Sequence, residues 1–343
     1  MNKSKKIILS FLLYFIAILL FTYFSKTVHF VDSHEYITST KEFAGISNVN
    51  VFQTHSLTSQ FIGAQILKLF PNMFTLKLIT SIWLLFIGLL IYFYSKNEIS
   101  LYLWMFSPIA WLVSIQVNPI VASAFFALLA YVLFKKYESS NLYAYFIISG
   151  LSAGIAILIY YSAFILIALF ILCFMISKKF YIPLIYMGLI FIALVPELII
   201  NYIFFGNPLY SMIRYIGANY FVSANQFLQG QILHLYWLLV PIALTPLLYK
   251  IFKVDRKKYL QELIFLALCF LAFGIRGMDL KYLFIFVPIL ILLVSQKVSK
   301  KEFYISTIIS LLVISGLTYG FFTSDFDQKI INDLDKIKKE YPS

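Results

Sequence analysis

The chain is built largely of uninterrupted apolar runs, beginning at Ile7 and repeating to residue 322. Most are roughly twenty residues long, the length a helix needs to cross about 30 Å of hydrocarbon. Such runs leave few folds open. Without water, every backbone N–H and C=O must find its partner inside the protein, which admits helices or closed barrels. Barrel strands would alternate in polarity over about ten residues, and these runs do not alternate. The expected fold class is therefore all-α, a polytopic integral membrane protein of about eleven transmembrane helices. The expected spans are 7–25, 75–94, 99–116, 119–134, 142–158, 161–177, 180–204, 232–249, 259–275, 280–296 and 303–322.

At 62% hydrophobic and 12% charged residues, nothing in the chain reads as an independent water-soluble domain. The net charge of +12 would suit nucleic acid if the lysines shared a soluble face. They sit instead between apolar runs, so no nucleic-acid partner is expected and the bilayer is the first partner. Lys3, Lys5, Lys6, Lys96, Lys135, Lys136, Lys178, Lys179, Lys250, Lys253, Arg256, Lys257, Lys258, Lys297, Lys300 and Lys301 share one side of an alternating topology. Positive charge marks the cytoplasmic side, which gives a multi-pass cell-membrane protein with its N-terminus inside and its C-terminus outside. Cys173 and Cys269 fall inside apolar runs with no CxxC spacing and read as core residues.

The expected organisation is a transmembrane domain over 1–323 and an external amphipathic tail over 324–343, where Phe326, Ile330, Leu334, Ile337 and Tyr341 recur at helical spacing. Two external loops, 27–74 and 206–231, are long, and long loops commonly carry function. In the first, Ser59–Phe70 places Ile62, Ile66, Leu69 and Phe70 opposite Gln65 and Lys68, a pattern for a helix lying in the membrane interface.

Ionisable groups are costly in hydrocarbon, so those near the membrane plane are the functional candidates. Asp32, His34 and Glu35 stand within four residues after the first span. They could supply a general base or ligands to Mg or Mn, or form a polar loop leaving the bilayer. Pro196, Glu197 and Asn201 end the seventh span, with Glu197 and Asn201 one turn apart before Gly206-Asn207-Pro208. Arg276, Asp279, Lys281 and Tyr282 form a short external link whose two cations run against the positive-inside trend. They would hold an anion, or Asp279 would neutralise one while the other reaches water. His55, Asn118-Pro119, Tyr160-Tyr161 and Arg214 are further polar points on this side.

This order of parts resembles the GT-C superfamily of polytopic glycosyltransferases, which includes protein O-mannosyltransferases and aminoarabinose transferases. Pro196 through Pro208 is similar to that family's "P…N-Y…F-G-N-P" stretch. Arg276 through Pro288 resembles a later "R-Y…P" segment, and Ser107-Pro108 with Asn118-Pro119 resembles another. The chain departs from the family in separating Asp32 from Glu35, where adjacent acids are common, and in carrying Lys281 where Arg is common. The resemblance implies a GT-C-like fold with interfacial helices in the first external loop and an inverting transfer from a polyprenyl-phosphate-linked sugar donor to an acceptor at the external face. On that basis Asp32 is the expected base, assisted by Glu35 and His34. Arg276, Lys281 and Arg214 are expected to hold the phosphate. Tyr282, His55, Glu197, Asn201 and Asn118 are expected to line the substrate cavity. No cofactor is expected to be required and no metal site is assigned, although Asp32, His34 and Glu35 have the chemistry for a divalent Mg or Mn. A transporter or flippase of lipid-linked saccharides, and a non-catalytic GT-C-like subunit, are the competing expectations. No motif specifies the oligomeric state.

Overall fold

A computed structural model describes residues 3–25, 31–46, 55–175, 178–217, 250, 253–275 and 284–323. These fold into α1 (Lys3–Phe24), α2 (Val31–Phe43), α3 (Leu57–Leu69), α4 (Met73–Ser95), α5 (Glu98–Met105), α6 (Pro108–Ser114), α7 (Ile120–Ser140), α8 (Tyr143–Ile159), α9 (Ala163–Met175), α10 (Tyr181–Phe205), α11 (Leu260–Ile275), α12 (Val287–Val294) and α13 (Lys300–Thr323). Residues 210–217 are also helical, and no strand occurs among the described residues. Lys5–Phe24, Phe74–Ser95, Ile120–Ser140 and Tyr181–Phe205 are each long and apolar enough to cross a membrane. The outward face of α10 carries Phe191, Ile192, Ile199 and Ile203, a surface that water would not tolerate and lipid would. The protein is a helical membrane protein.

In their described parts the expected spans coincide with helix; 232–249 and the tail 324–343 lie outside the described residues. The expected division of 142–177 falls at Tyr160–Ser162, where α8 gives way to α9. Two expected spans are not continuous: 280–296 turns at residues 285–286 ahead of α12, and 99–116 divides into α5 and α6. The segment 99–116 breaks at Phe106-Ser107, because Pro108 lacks an N–H and holds Ser107 extended at ψ 117°. The indole of Trp111 meets the break by donating to Met105 O at 2.8 Å.

In lipid the hydrophobic effect does not drive helices together, so close packing and polar contacts must. Helix α8 supplies both. Gly150 and Gly154 let α10 approach so closely that a Cβ on Gly154 would lie 2.5 Å from Ala193 Cβ and 2.6 Å from Ile190 O. Ser149 Oγ donates to Ala130 O at 2.7 Å and lies 2.9 Å from the Tyr186 hydroxyl, joining α7, α8 and α10. Further along the same seam between α7 and α8, Ser123 Oγ donates to Ala156 O at 2.8 Å. Around these contacts Trp104, Leu84, Phe134, Phe174 and Phe265 form a fully buried core.

The short links between helices alternate between two ends of the bundle. At one end lie Lys96, Lys135, Lys136, Lys178 and Lys300. Ion pairs tie this end together: Lys135 to Glu262 and Lys178 to Glu138 at 2.9 Å, and Lys250 to Glu302 at 2.7 Å. At the other end, α2 and α3 fold back against the start of α4 and the end of α10.

Candidate functional site

Among the described residues, the second end gathers polar side chains from α2, α3, α4, α10 and the links 115–119 and 160–162. The acidic segment after α1 is helical, so Asp32, His34 and Glu35 occupy the first turns of α2, with the backbones of Asp32 and Glu35 one turn apart. Their side chains lie outside the described residues, as do Arg276, Lys281 and Tyr282. The next turns of α2 carry Tyr36 and Thr40, which wall a cavity of about 160 Å³. Its other walls are Ser59, Ile62, Gly63 and Ile66 of α3, Leu76, Ile79, Thr80 and Trp83 of α4, Asn118 and Pro119 before α7, and Ile159 of α8. Gly63 lets α2 and α3 cross closely here: a Cβ would meet Thr40 Cγ2 at a tight 3.1 Å.

Helix α3 uses both of its sides. Leu57, Gln60, Ala64 and Leu67 are buried against the protein; of the face expected to meet the interface, Ile62, Leu69 and Phe70 are exposed, whereas Ile66 is half-buried on the cavity wall. Outward apolar residues and an inward protein face suit a helix lying flat between bundle and bilayer.

Glu197 fastens that helix. It is fully buried in α10, and its carboxylate accepts from Leu57 N at 3.0 Å, Thr58 N at 2.9 Å and Thr58 Oγ1 at 2.6 Å. Ser56 Oγ at 3.2 Å, Asn201 Nδ2 at 3.0 Å, Ser211 Oγ at 3.1 Å and the Tyr161 hydroxyl complete the shell. All of these groups can donate, which matches an acceptor-only carboxylate. Leu57 N and Thr58 N are among the first amides of α3, which no intrahelical carbonyl can satisfy, and a carboxylate is favoured at that helix end. Asn201 also receives Ser211 N on its Oδ1 at 2.9 Å, which brings the segment after α10 into the same knot.

The expected site residues are thus partly brought together. His55 immediately precedes this knot and stacks on Tyr36 with ring centres 4.6 Å apart. It also lies 6.3 Å from the Tyr215 ring, on the segment that carries Arg214. Arg214 NH1 donates to the Tyr210 hydroxyl at 2.6 Å. Glu197 and Asn201, expected to line the cavity, are buried behind it with their polar atoms engaged by protein groups. Asn118 does line it. Sequence reading gave no role to Thr58, Ser211, Trp83 or Tyr36, although Tyr36 ends the acidic stretch it singled out. The Ser-Leu-Thr-Ser run at 56–59 carries the one local signal, an N-cap at Ser56 whose Oγ accepts from Ser59 N. Among the described residues no group of three His, Cys, Asp or Glu side chains could hold a metal ion. Comparisons with protein-family models, curated proteins and solved structures find no match to this chain.

Proposed function

We propose that the chain is a glycosyltransferase of about eleven spans that moves a sugar from a polyprenyl-phosphate donor to an acceptor hydroxyl at the external face. One observation carries this reading. Helix α2, which bears Asp32, His34 and Glu35, packs over a cavity at the end of the bundle opposite the lysine-rich links. Positive charge faces the cytoplasm, so this end lies outside, with the N-terminus inside. Asp32 stands one turn before Tyr36, whose side chain walls the cavity.

The chemistry divides between two segments. The carboxylate of Asp32 takes the proton of the acceptor hydroxyl as that oxygen attacks the anomeric carbon, with Glu35 and His34 assisting. The bond from the anomeric carbon to the phosphate oxygen breaks, and its electron pair leaves with the polyprenyl phosphate. Fixed cations stabilise the departing charge, a task for Arg276 and Lys281 with Arg214. Attack from the face opposite the phosphate inverts the anomeric centre.

The test incubates purified protein with a panel of polyprenyl-phosphate sugars and measures release of polyprenyl phosphate. Asp32→Asn should lower release by about 100-fold or more, the usual range for removing a general base, with membrane insertion retained. Release that persists unchanged in that variant removes Asp32 from the mechanism. Movement of the intact donor between leaflets without release assigns the chain to translocation instead.

A further inference from the structure

At the lysine-rich end, two links carry more positive charge than their acids can match: 253–258 before α11, and 297–301 between α12 and α13. They lie side by side. Lys250 Nζ meets Glu302 Oε1 at 2.7 Å, and Lys253 N donates to Lys250 O at 2.9 Å, which keeps 253–258 next to that pair. Buried Val254 and Val298 anchor each link to the bundle, and Asn97 Nδ2 donates to Ser295 O at 3.3 Å beside the second. Both acids are already committed. Besides Lys250, Glu302 accepts from Ser299 N at 2.9 Å and Ser299 Oγ at 2.7 Å. Asp255 Oδ1 closes a turn by accepting from Lys257 N at 3.1 Å and Lys258 N at 3.3 Å. Arg256, Lys257, Lys258, Lys297, Lys300 and Lys301 remain exposed, and none forms an ion pair among the described residues. With Glu302 matched by Lys250, only the charge of Asp255 stands against these cations.

The same links sit at the edge of the hydrocarbon. Leu260 and Ile264 of α11, and Tyr304 and Ile308 of α13, follow these cations within a few residues and are exposed. Lipid chains that cover those side chains bring their headgroups level with the two links. A soluble anion placed there gains charge contacts alone, whereas a phospholipid gains the apolar flank as well. A zwitterionic headgroup sets its own cation against the lysines, so the fitting lipid carries net negative charge.

We propose that links 253–258 and 297–301 together hold the headgroup of an anionic phospholipid whose chains lie along the outward residues of α11 and α13. Arg256 offers its planar fork to the phosphate, and the lysines offer mobile point charges. The site requires only that the protein sits in a bilayer. It does not depend on the transfer reaction, so loss of the role given to Asp32 leaves it intact.

The full-length protein is reconstituted in phosphatidylcholine vesicles containing a trace of photoactivatable lipid. One probe is a phosphatidylglycerol and the other a phosphatidylcholine, each with a diazirine on the chain carbons next to the glycerol. Labelling of peptides containing 260–264 and 304–308 should be about fivefold higher with the phosphatidylglycerol probe, the factor a single cation near an anionic headgroup supplies. Ile199 and Ile203, exposed on α10 near the opposite end, should be labelled equally by both. Lys257→Gln with Lys258→Gln should lower the preference at least twofold. Lys136→Gln with Lys179→Gln removes the same charge from the same end, on the side where Lys178 pairs with Glu138, and should leave the preference unchanged. An equal fall in both double variants would reveal diffuse attraction to the whole end and overturns the site. Equal labelling of 260–264 and 304–308 by the two probes in the unaltered chain overturns it as well, and decides the matter even if a variant fails to fold. Glycerol phosphate in hundredfold excess over the probe should not compete. Loss of the preference in its presence assigns the links to a soluble phosphate compound and overturns the lipid.

Discussion

Glu197 is a carboxylate surrounded by donors, and its stability depends on every one of them meeting an acceptor. In Glu197→Gln either amide orientation turns an NH2 toward a backbone N–H of α3, Leu57 on one side or Thr58 on the other. Each group left unmet costs about 1–3 kcal/mol. The variant should unfold at lower temperature in detergent, and amide hydrogen exchange at residues 57 and 58 should quicken. Thr58→Val, which loses one hydroxyl and keeps both amides, should show the smaller loss. Unchanged exchange in Glu197→Gln would mean that α3 is held by packing alone. Glycine gives a second residue-scale contrast. Gly154→Ala forces a methyl into Ala193 and Ile190 and should destabilise by about 1–3 kcal/mol. Gly188→Ala, with open space around it, should be close to neutral. Equal melting temperatures for the two would show that α8 and α10 can separate without cost.

Among the elements, α5 and α6 show how a break in a helix is tolerated away from water. The carbonyls left over where the helix breaks need new partners: Ser107 N meets Trp104 O at 3.0 Å and the Trp111 indole meets Met105 O. Trp111→Phe keeps the edge contacts with Phe21 at 5.3 Å and Tyr14 at 6.1 Å but removes the donor. It should cost about 1 kcal/mol, measured by thermal denaturation. No loss would indicate that another group takes over Met105 O. Ser107-Pro108 is the local signal for the break, but the apolar run continues through it, and 99–116 was expected as one span. Helix α3 was legible from its spacing, as was its outward face. Its inward face was not, because Thr58 and Gln60 look polar until Glu197 and the bundle enclose them.

Across the whole molecule, lysines collect at one end and the α2–α3 pair sits at the other. If the lysine-rich end is cytoplasmic, Ser140→Cys should resist a membrane-impermeant maleimide in intact cells, and Pro208→Cys should react. The native thiols of Cys173 and Cys269 lie within α9 and α11 and set the baseline. Labelling in the opposite pattern would invert the molecule and place the candidate site inside.

The sequence by itself determined the class of protein, most of its long helices and the separation of its charges, but not that 31–43 is helical or that 99–116 divides. Run length is set by the thickness of hydrocarbon, and charge by the side of the membrane, and both are written along the chain. Only the tertiary structure decided which faces meet. In water an apolar stripe marks the buried face, but in lipid every face is apolar, so α10 gives little sign that its inward line is Tyr186, Ile190, Glu197 and Asn201. The carboxylate shell joins residues near 57, 161, 197 and 211, and the cavity joins α2, α3, α4 and α8. Such distant meetings depend on how closely neighbouring helices approach, which Gly150 and Gly154 permit but which no local periodicity records.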